Sequence, residues 1–152
     1  MVTAYVGLGS NLGDREGYLR AALDALRADP ALELRAVSSV RETDPVGLLD
    51  QPRFLNAAAR VETALSARAL LERLLAAERA LGRTRPGPRF GPRTIDLDLL
   101  LFGDQAVDEP GLAVPHPRLH ERRFVLEPLA ELDPALNVPG RGPVSDLLSA
   151  LD

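Results

Sequence analysis

The 152-residue chain contains no cysteine. That absence excludes disulfides, thiolate nucleophiles and cysteine-bound zinc, and a cytoplasmic location is the expectation. Lysine is missing too, so every basic side chain is arginine apart from two histidines. Mechanisms that need an amine are closed to the protein, including Schiff bases and the phosphate-loop lysine of Walker-type nucleotide enzymes. No apolar run approaches membrane-spanning length, and the first nine residues enter a β-branched run without the basic segment and cleavage site of a signal peptide. A basic excess is lacking as well. With a formal net charge of −4, nothing global favours nucleic acid or a membrane as partner, so any anion recognition must be local.

What is present suits one globular domain over residues 1–152, with 45% hydrophobic residues to fill a single core. Residues Val2 to Leu8 read as a central strand, and Gly9 to Asp14 supply turn and helix-start chemistry. Leu19, Ala22, Leu23 and Leu26 recur at helical spacing until Asp29-Pro30 ends the pattern. Leu32 to Thr43 reads as one strand with Val37 and Val40 inside it. A proline-punctuated loop from Asp44 to Arg53 leads to a strand over Phe54 to Thr63. Ser66 then caps a helix with a stripe of Leu70, Leu71, Leu74, Leu75 and Leu81, and Gly82 stands at its end. Gly82 to Pro92 is too rich in Gly, Pro and Arg for a helix or a central strand. Thr94 to Phe102 is the last clear strand.

The order strand, helix, strand, strand, helix, strand is α+β, the ferredoxin-like βαββαβ arrangement in which an antiparallel sheet carries helices on one face. From Gly103 onward a C-terminal extension is expected to decorate that core. It holds Val114-Pro115-His116-Pro117, a helical segment from Leu119 to Leu132 and a short helix near Val144 to Leu151.

Strand periodicity makes Thr94 to Phe102 the most informative segment. Ile95, Leu97, Leu99 and Leu101 should point one way, and Asp96 and Asp98 the other. Two carboxylates about 5 Å apart at an effective dielectric of roughly 20 repel by on the order of 3 kcal/mol, enough to force protonation or demand a cation. Oxygen-only ligands favour magnesium. From the pair alone, a solvated strand end neutralised by arginine explains the acids equally well. The neighbourhood adds Arg79, Arg83, Arg85, Arg89 and Arg93 with no acid between them. Such a run often forms a solvated face. Beside paired carboxylates it suggests guanidinium groups and metal sharing one polyanion.

The segment Arg89-Phe90-Gly91-Pro92-Arg93-Thr94-Ile95-Asp96-Leu97-Asp98-Leu99-Leu100 resembles the signature of the 6-hydroxymethyl-7,8-dihydropterin pyrophosphokinases of folate biosynthesis. Further segments resemble that family in its own order: Gly9 to Leu12, Thr43 to Gly47, Gln51 to Ala57, Glu78 to Arg83 and Val114 to Arg118. The resemblance implies transfer of the β,γ-diphosphate of ATP to the hydroxymethyl group of the reduced pterin, with release of AMP. It implies two Mg2+ ions on Asp96 and Asp98, and Arg83 and Arg93 as catalytic groups that stabilise the triphosphate and transition state. Arg85 and Arg89 would close over the nucleotide, His116 and Arg122 would contact phosphate oxygens, and Glu78 and Leu99 would border it. The pterin would lie among Thr43, Pro45, Val46, Phe54, Asn56, Phe90 and Phe124, between aromatic faces and with Asn56 matching its paired donor and acceptor. Taken singly, Phe54 and Phe124 also suit the core, and Asn56 a strand end. Small-molecule substrates and a monomer are expected, with no nucleic acid and no membrane.

Two other readings remain. Gly7-Leu8-Gly9-Ser10-Asn11-Leu12-Gly13 imitates a dinucleotide-binding turn, although its spacing is off by one and the element order lacks a doubly wound parallel sheet. A ferredoxin-like binding module could grip nucleic acid or an anionic effector with its arginine loop, but would leave Asp96 and Asp98 unexplained.

Overall fold

The computed structural model describes residues 1–44, 52–82 and 95–152. Its first half contains β1 (Val2–Ser10), α1 (Arg15–Ala28), β2 (Leu32–Val37), β3 (Arg41–Thr43), β4 (Phe54–Thr63), α2 (Ala67–Ala80) and β5 (Asp96–Phe102). The main sheet has the order β2-β4-β1-β5, with β3 also on β4, and all its pairings are antiparallel. This is the expected ferredoxin-like core. The caps follow the sequence: the Asp14 carboxylate accepts from Gly17 N–H at the start of α1, and Ser66 accepts from Ala69 N–H at the start of α2. At the far end of α2, Gly82 has φ +88°, a conformation glycine adopts without strain.

The single strand expected from Leu32 to Thr43 is two. Ser38 N–H donates to the Ala58 carbonyl, and Ala58 N–H donates to Ser38 Oγ, both at 2.8 Å. A side-chain oxygen thus takes a place that a ladder carbonyl would fill, and the backbone leaves the ladder. Val40, expected inside the strand, is 50% exposed.

A second difference lies in β5. Val6 pairs with Leu99 and Tyr5 with Leu101, leaving Leu100 as an extra residue. Such a bulge breaks the period of two. Leu97 and Leu99 pack on the α1 and α2 side, as expected, whereas Leu101 joins Leu100 in the core on the other face.

That second core corrects the decorative role expected for the C-terminal extension. The extension contains β6 (Val107–Glu109), β7 (Leu112–Val114), a short helical turn over Leu119–Glu121, α3 (Arg123–Leu132), β8 (Asn137–Val138), β9 (Gly142–Pro143) and α4 (Val144–Ser149). Leu126 and Leu129 of α3, with Val138 and Val144, are fully buried against Tyr5, Ala58, Leu100 and Leu101. Burying each such side chain stabilises the fold by about 2 kcal/mol. The sheet is therefore covered on both faces, by α1 and α2 on one and by the extension on the other. The helix expected from Leu119 is interrupted at Arg122, whose backbone is extended (φ −115°, ψ 103°). Among the described residues, no helix is long and apolar enough to cross a membrane.

Candidate active site

On the α3 side of the sheet, side chains are missing where the strands meet. Gly7 and Gly9 of β1 lie opposite Asp98 and Asp96 of β5, and Gly9 also lies opposite Asn56 of β4. A Cβ on Gly9 would stand 3.1 Å from Asn56 Oδ1, and one on Gly7 would stand 3.3 Å from the Leu100 side chain. The two glycines form the floor of a cavity of about 250 Å3 whose walls include Thr43, Asp44, Phe54, Asn56, Asp96, Asp98, Leu100, His116, Arg122 and Phe124. Gly7 and Gly9 were visible in the sequence as part of a turn-like glycine run. Their alternation inside a strand was the signal for a close approach on one face.

Each wall comes from a different element. Asn56 is buried and donates from Nδ2 to Thr43 Oγ1, tying β4 to the end of β3. Phe54 stands opposite Thr43 in the same ladder. Arg122 and Phe124 sit where the chain enters α3, with the guanidinium carbon 5.6 Å from the Phe124 ring centroid. Burial lowers the Arg122 pKa first, and the charge of Asp98 opposes that shift more than that of Asp96 does. The side chain remains a cation, since arginine does not lose its proton in proteins. Asp44 borders the cavity while its carboxylate pairs with Arg53 at 3.0 Å, which gives this otherwise unassigned acid a place beside Thr43.

A second cavity, about 400 Å3, reaches Asp98 but not Asp96. Leu71, Leu75 and Glu78 of α2, Leu97, Asp98 and Leu99 of β5, the β6–β7 hairpin and His116 line it. Glu78 is only 3% exposed, and its carboxylate accepts from Leu97 N–H at 2.7 Å, fixing the end of α2 against the strand that carries the acids. Leu99 is packed in the core beneath this cavity. Asp98 and His116 line both spaces.

Among the described residues, no group of three or more His, Cys, Asp or Glu forms a metal cage. The donor set nevertheless fits magnesium, which commonly takes one or two carboxylates and completes its shell with water and substrate phosphate. Asp96 is partly buried and Asp98 exposed, so solvent reaches the pair and weakens the repulsion expected between them. Pro45, Val46, Arg83, Arg85, Arg89, Phe90 and Arg93 lie outside the described residues.

His116 hydrogen-bonds its backbone N–H to the Leu100 carbonyl at 2.9 Å and accepts from Arg118 N–H at Nδ1 at 3.3 Å. Burial lowers its pKa below the ordinary 6.5, helped by the charge of Arg122 and then of Arg118. Since the unfolded chain takes up this proton first, His116 leaves stability unchanged above 6.5 and costs stability as pH falls below it. An NMR titration should therefore place the His116 midpoint below that of free histidine. His116→Gln should flatten the fall in stability on the acid side, measured by urea unfolding. A midpoint at or above the ordinary value would contradict this environment.

The profile of the family described as 7,8-dihydro-6-hydroxymethylpterin-pyrophosphokinase (HPPK) matches residues 5–134. The chain is 53% identical over 129 residues to the 2-amino-4-hydroxy-6-hydroxymethyldihydropteridine pyrophosphokinase of Bacillus subtilis, covering 85% of this chain and 77% of that one. It is 48% identical over 146 residues to the protein of the same name from Pseudomonas aeruginosa, covering 96% of this chain and 90% of that one. Among solved structures it is similar to the HPPK-DHPS of Plasmodium falciparum, with a TM-score of 0.74 and 14% identity. That match covers 99% of this chain but 43% of the longer one, and at such identity it concerns the fold.

Proposed function

This chain belongs to the HPPK family, and from that premise we propose how its two cavities divide the transfer of the β,γ-diphosphate of ATP to 6-hydroxymethyl-7,8-dihydropterin, with release of AMP. The observation that carries the reading is that Asp98 and His116 line both cavities. A donor on one side and an acceptor on the other would meet at Asp98 and His116.

The flat pterin fits the first cavity, against Phe54 and Phe124, with Asn56 and Thr43 offering hydrogen-bonding groups to its edge. Pro45, Val46 and Phe90 complete that wall in this reading. The nucleoside fits the second cavity, beside Leu99 and Glu78, and places its phosphates toward Asp96, Asp98, His116 and Arg122. Asp96 and Asp98 would hold two Mg2+ ions, which when bound neutralise charge on the phosphate oxygens. Arg122, in the wall of the first cavity, sets a positive charge that acts on Asp98. Arg83 and Arg93 are read as the catalytic arginines, with Arg85 and Arg89 closing over the triphosphate. The hydroxymethyl oxygen attacks the β-phosphorus as the bond to the AMP oxygen breaks, and the hydroxyl proton is released to water. Much of the acceleration then comes from holding the two reactants in line between the cavities. We read the working form as a cytoplasmic monomer made of one domain.

Incubation with ATP, magnesium and 6-hydroxymethyl-7,8-dihydropterin should release AMP in step with a diphosphorylated pterin, followed by 31P NMR. ADP would mean transfer of a single phosphoryl group, and unchanged ATP would favour a binding module. Either result would overturn the reading.

A further inference from the structure

Strand β3 is three residues long, and its ladder with β4 consists of Arg41 opposite Asn56, Glu42 opposite Leu55 and Thr43 opposite Phe54. It starts just after the break at Ser38, so little backbone pairing holds the end that carries Thr43. Side chains supply the rest. Arg41 donates from Nη1 to Glu127 at 2.6 Å and from Nη2 to Glu131 at 2.9 Å. Ser39 donates to Glu131 twice, from its backbone N–H and from Oγ, both at 2.6 Å. Glu127 and Glu131 are four apart on α3, where two like charges would repel unless a cation lay between them.

Helix α3 rests on the sheet through Leu126 and Leu129, and apolar contact carries little directional information. The four polar contacts do carry it. They fix α3 along its axis relative to β3, and the first turn of α3 brings Phe124 into the cavity that Thr43 and Asn56 border. We propose that Ser39, Arg41, Glu127 and Glu131 form a positioning clamp that sets the gap between Phe124 and the Thr43–Asn56 edge, and thereby the fit of the pterin. The ionic side chains are about one-third exposed (35%, 32% and 34% for Arg41, Glu127 and Glu131), so their net effect on stability is small. Placement is the larger consequence. The hydrogen bonds from Ser39, then that from Arg41, pull the Glu131 pKa down to about 2, and because the carboxylate is one-third exposed, solvent screening keeps most of that shift from appearing as stability.

The inference rests on the first cavity being the pterin site, so AMP release by the wild-type protein is measured first. Failure there sinks that site reading. With an active wild type, Glu131→Ala should raise KM for the pterin about tenfold, leaving KM for ATP within about twofold and the melting temperature nearly unchanged. Glu131→Gln, which keeps an acceptor for Ser39, should recover part of the loss. If Glu131→Ala does not fold, Ser39→Ala gives the same reading through a smaller rise in pterin KM. An unchanged pterin KM in a folded variant, or equal rises for both substrates with a lowered melting temperature, would overturn the clamp.

Discussion

Asp96→Ala and Asp98→Ala are each expected to lower kcat by about a thousandfold or more while leaving the melting temperature close to wild type. The fold has little to lose. Asp98 is exposed, Asp96 is only partly buried, and both stand on strand positions whose β1 partners are glycines with no side chain to pack. The chemistry has much to lose in the proposed reading, because both carboxylates line the first cavity, Asp98 lines the second as well, and each would be a ligand to magnesium. Circular dichroism separates the two effects. Near wild-type turnover in folded forms of both variants would remove the acid pair from the mechanism.

Gly9→Val should be nearly as damaging, for a steric reason. Valine suits a strand, so the backbone of β1 tolerates it. Its Cβ, however, would begin 3.1 Å from Asn56 Oδ1 and 3.7 Å from Phe54 Cδ1, and its methyl groups would extend into the space read as the pterin slot. Turnover with the pterin should fall about a hundredfold, with Gly9→Ala intermediate. The second cavity is not bordered by Gly9, so calorimetry should find nucleotide binding unchanged. Unaltered pterin kinetics in Gly9→Val would show that the substrate lies elsewhere.

Asp96 and Asp98 were legible because strand alternation is local: two polar residues spaced by one apolar residue share a face whatever the rest of the fold does. Leu101 was misplaced by the same rule, since the bulge at Leu100 depends on pairing with β1 and leaves no mark in β5 alone. Ser38 broke a strand for a similar reason. Its hydroxyl competes with a backbone carbonyl for a donor twenty residues away, on Ala58. The βαββαβ order could be read because each helix carries its own cap and stripe. The role of the extension could not, because the apolar surface that α3 covers, formed by Tyr5, Ala58, Leu100 and Leu101, is scattered over three strands. His116, Arg122 and Phe124 were therefore reached through resemblance rather than residue pattern. Arg41 and Glu131, ninety residues apart, gave no sign of belonging together.

The proposed transfer depends above all on divalent ions held at Asp96 and Asp98 when nucleotide is present. Titrating Mn2+ into the protein with a non-hydrolysable ATP analogue, followed by electron paramagnetic resonance, tests this directly. Two ions per chain are expected for the wild type, with both weakened or lost when Asp96 and Asp98 are changed together to Asn. Unchanged stoichiometry and affinity in that double variant would contradict the assignment.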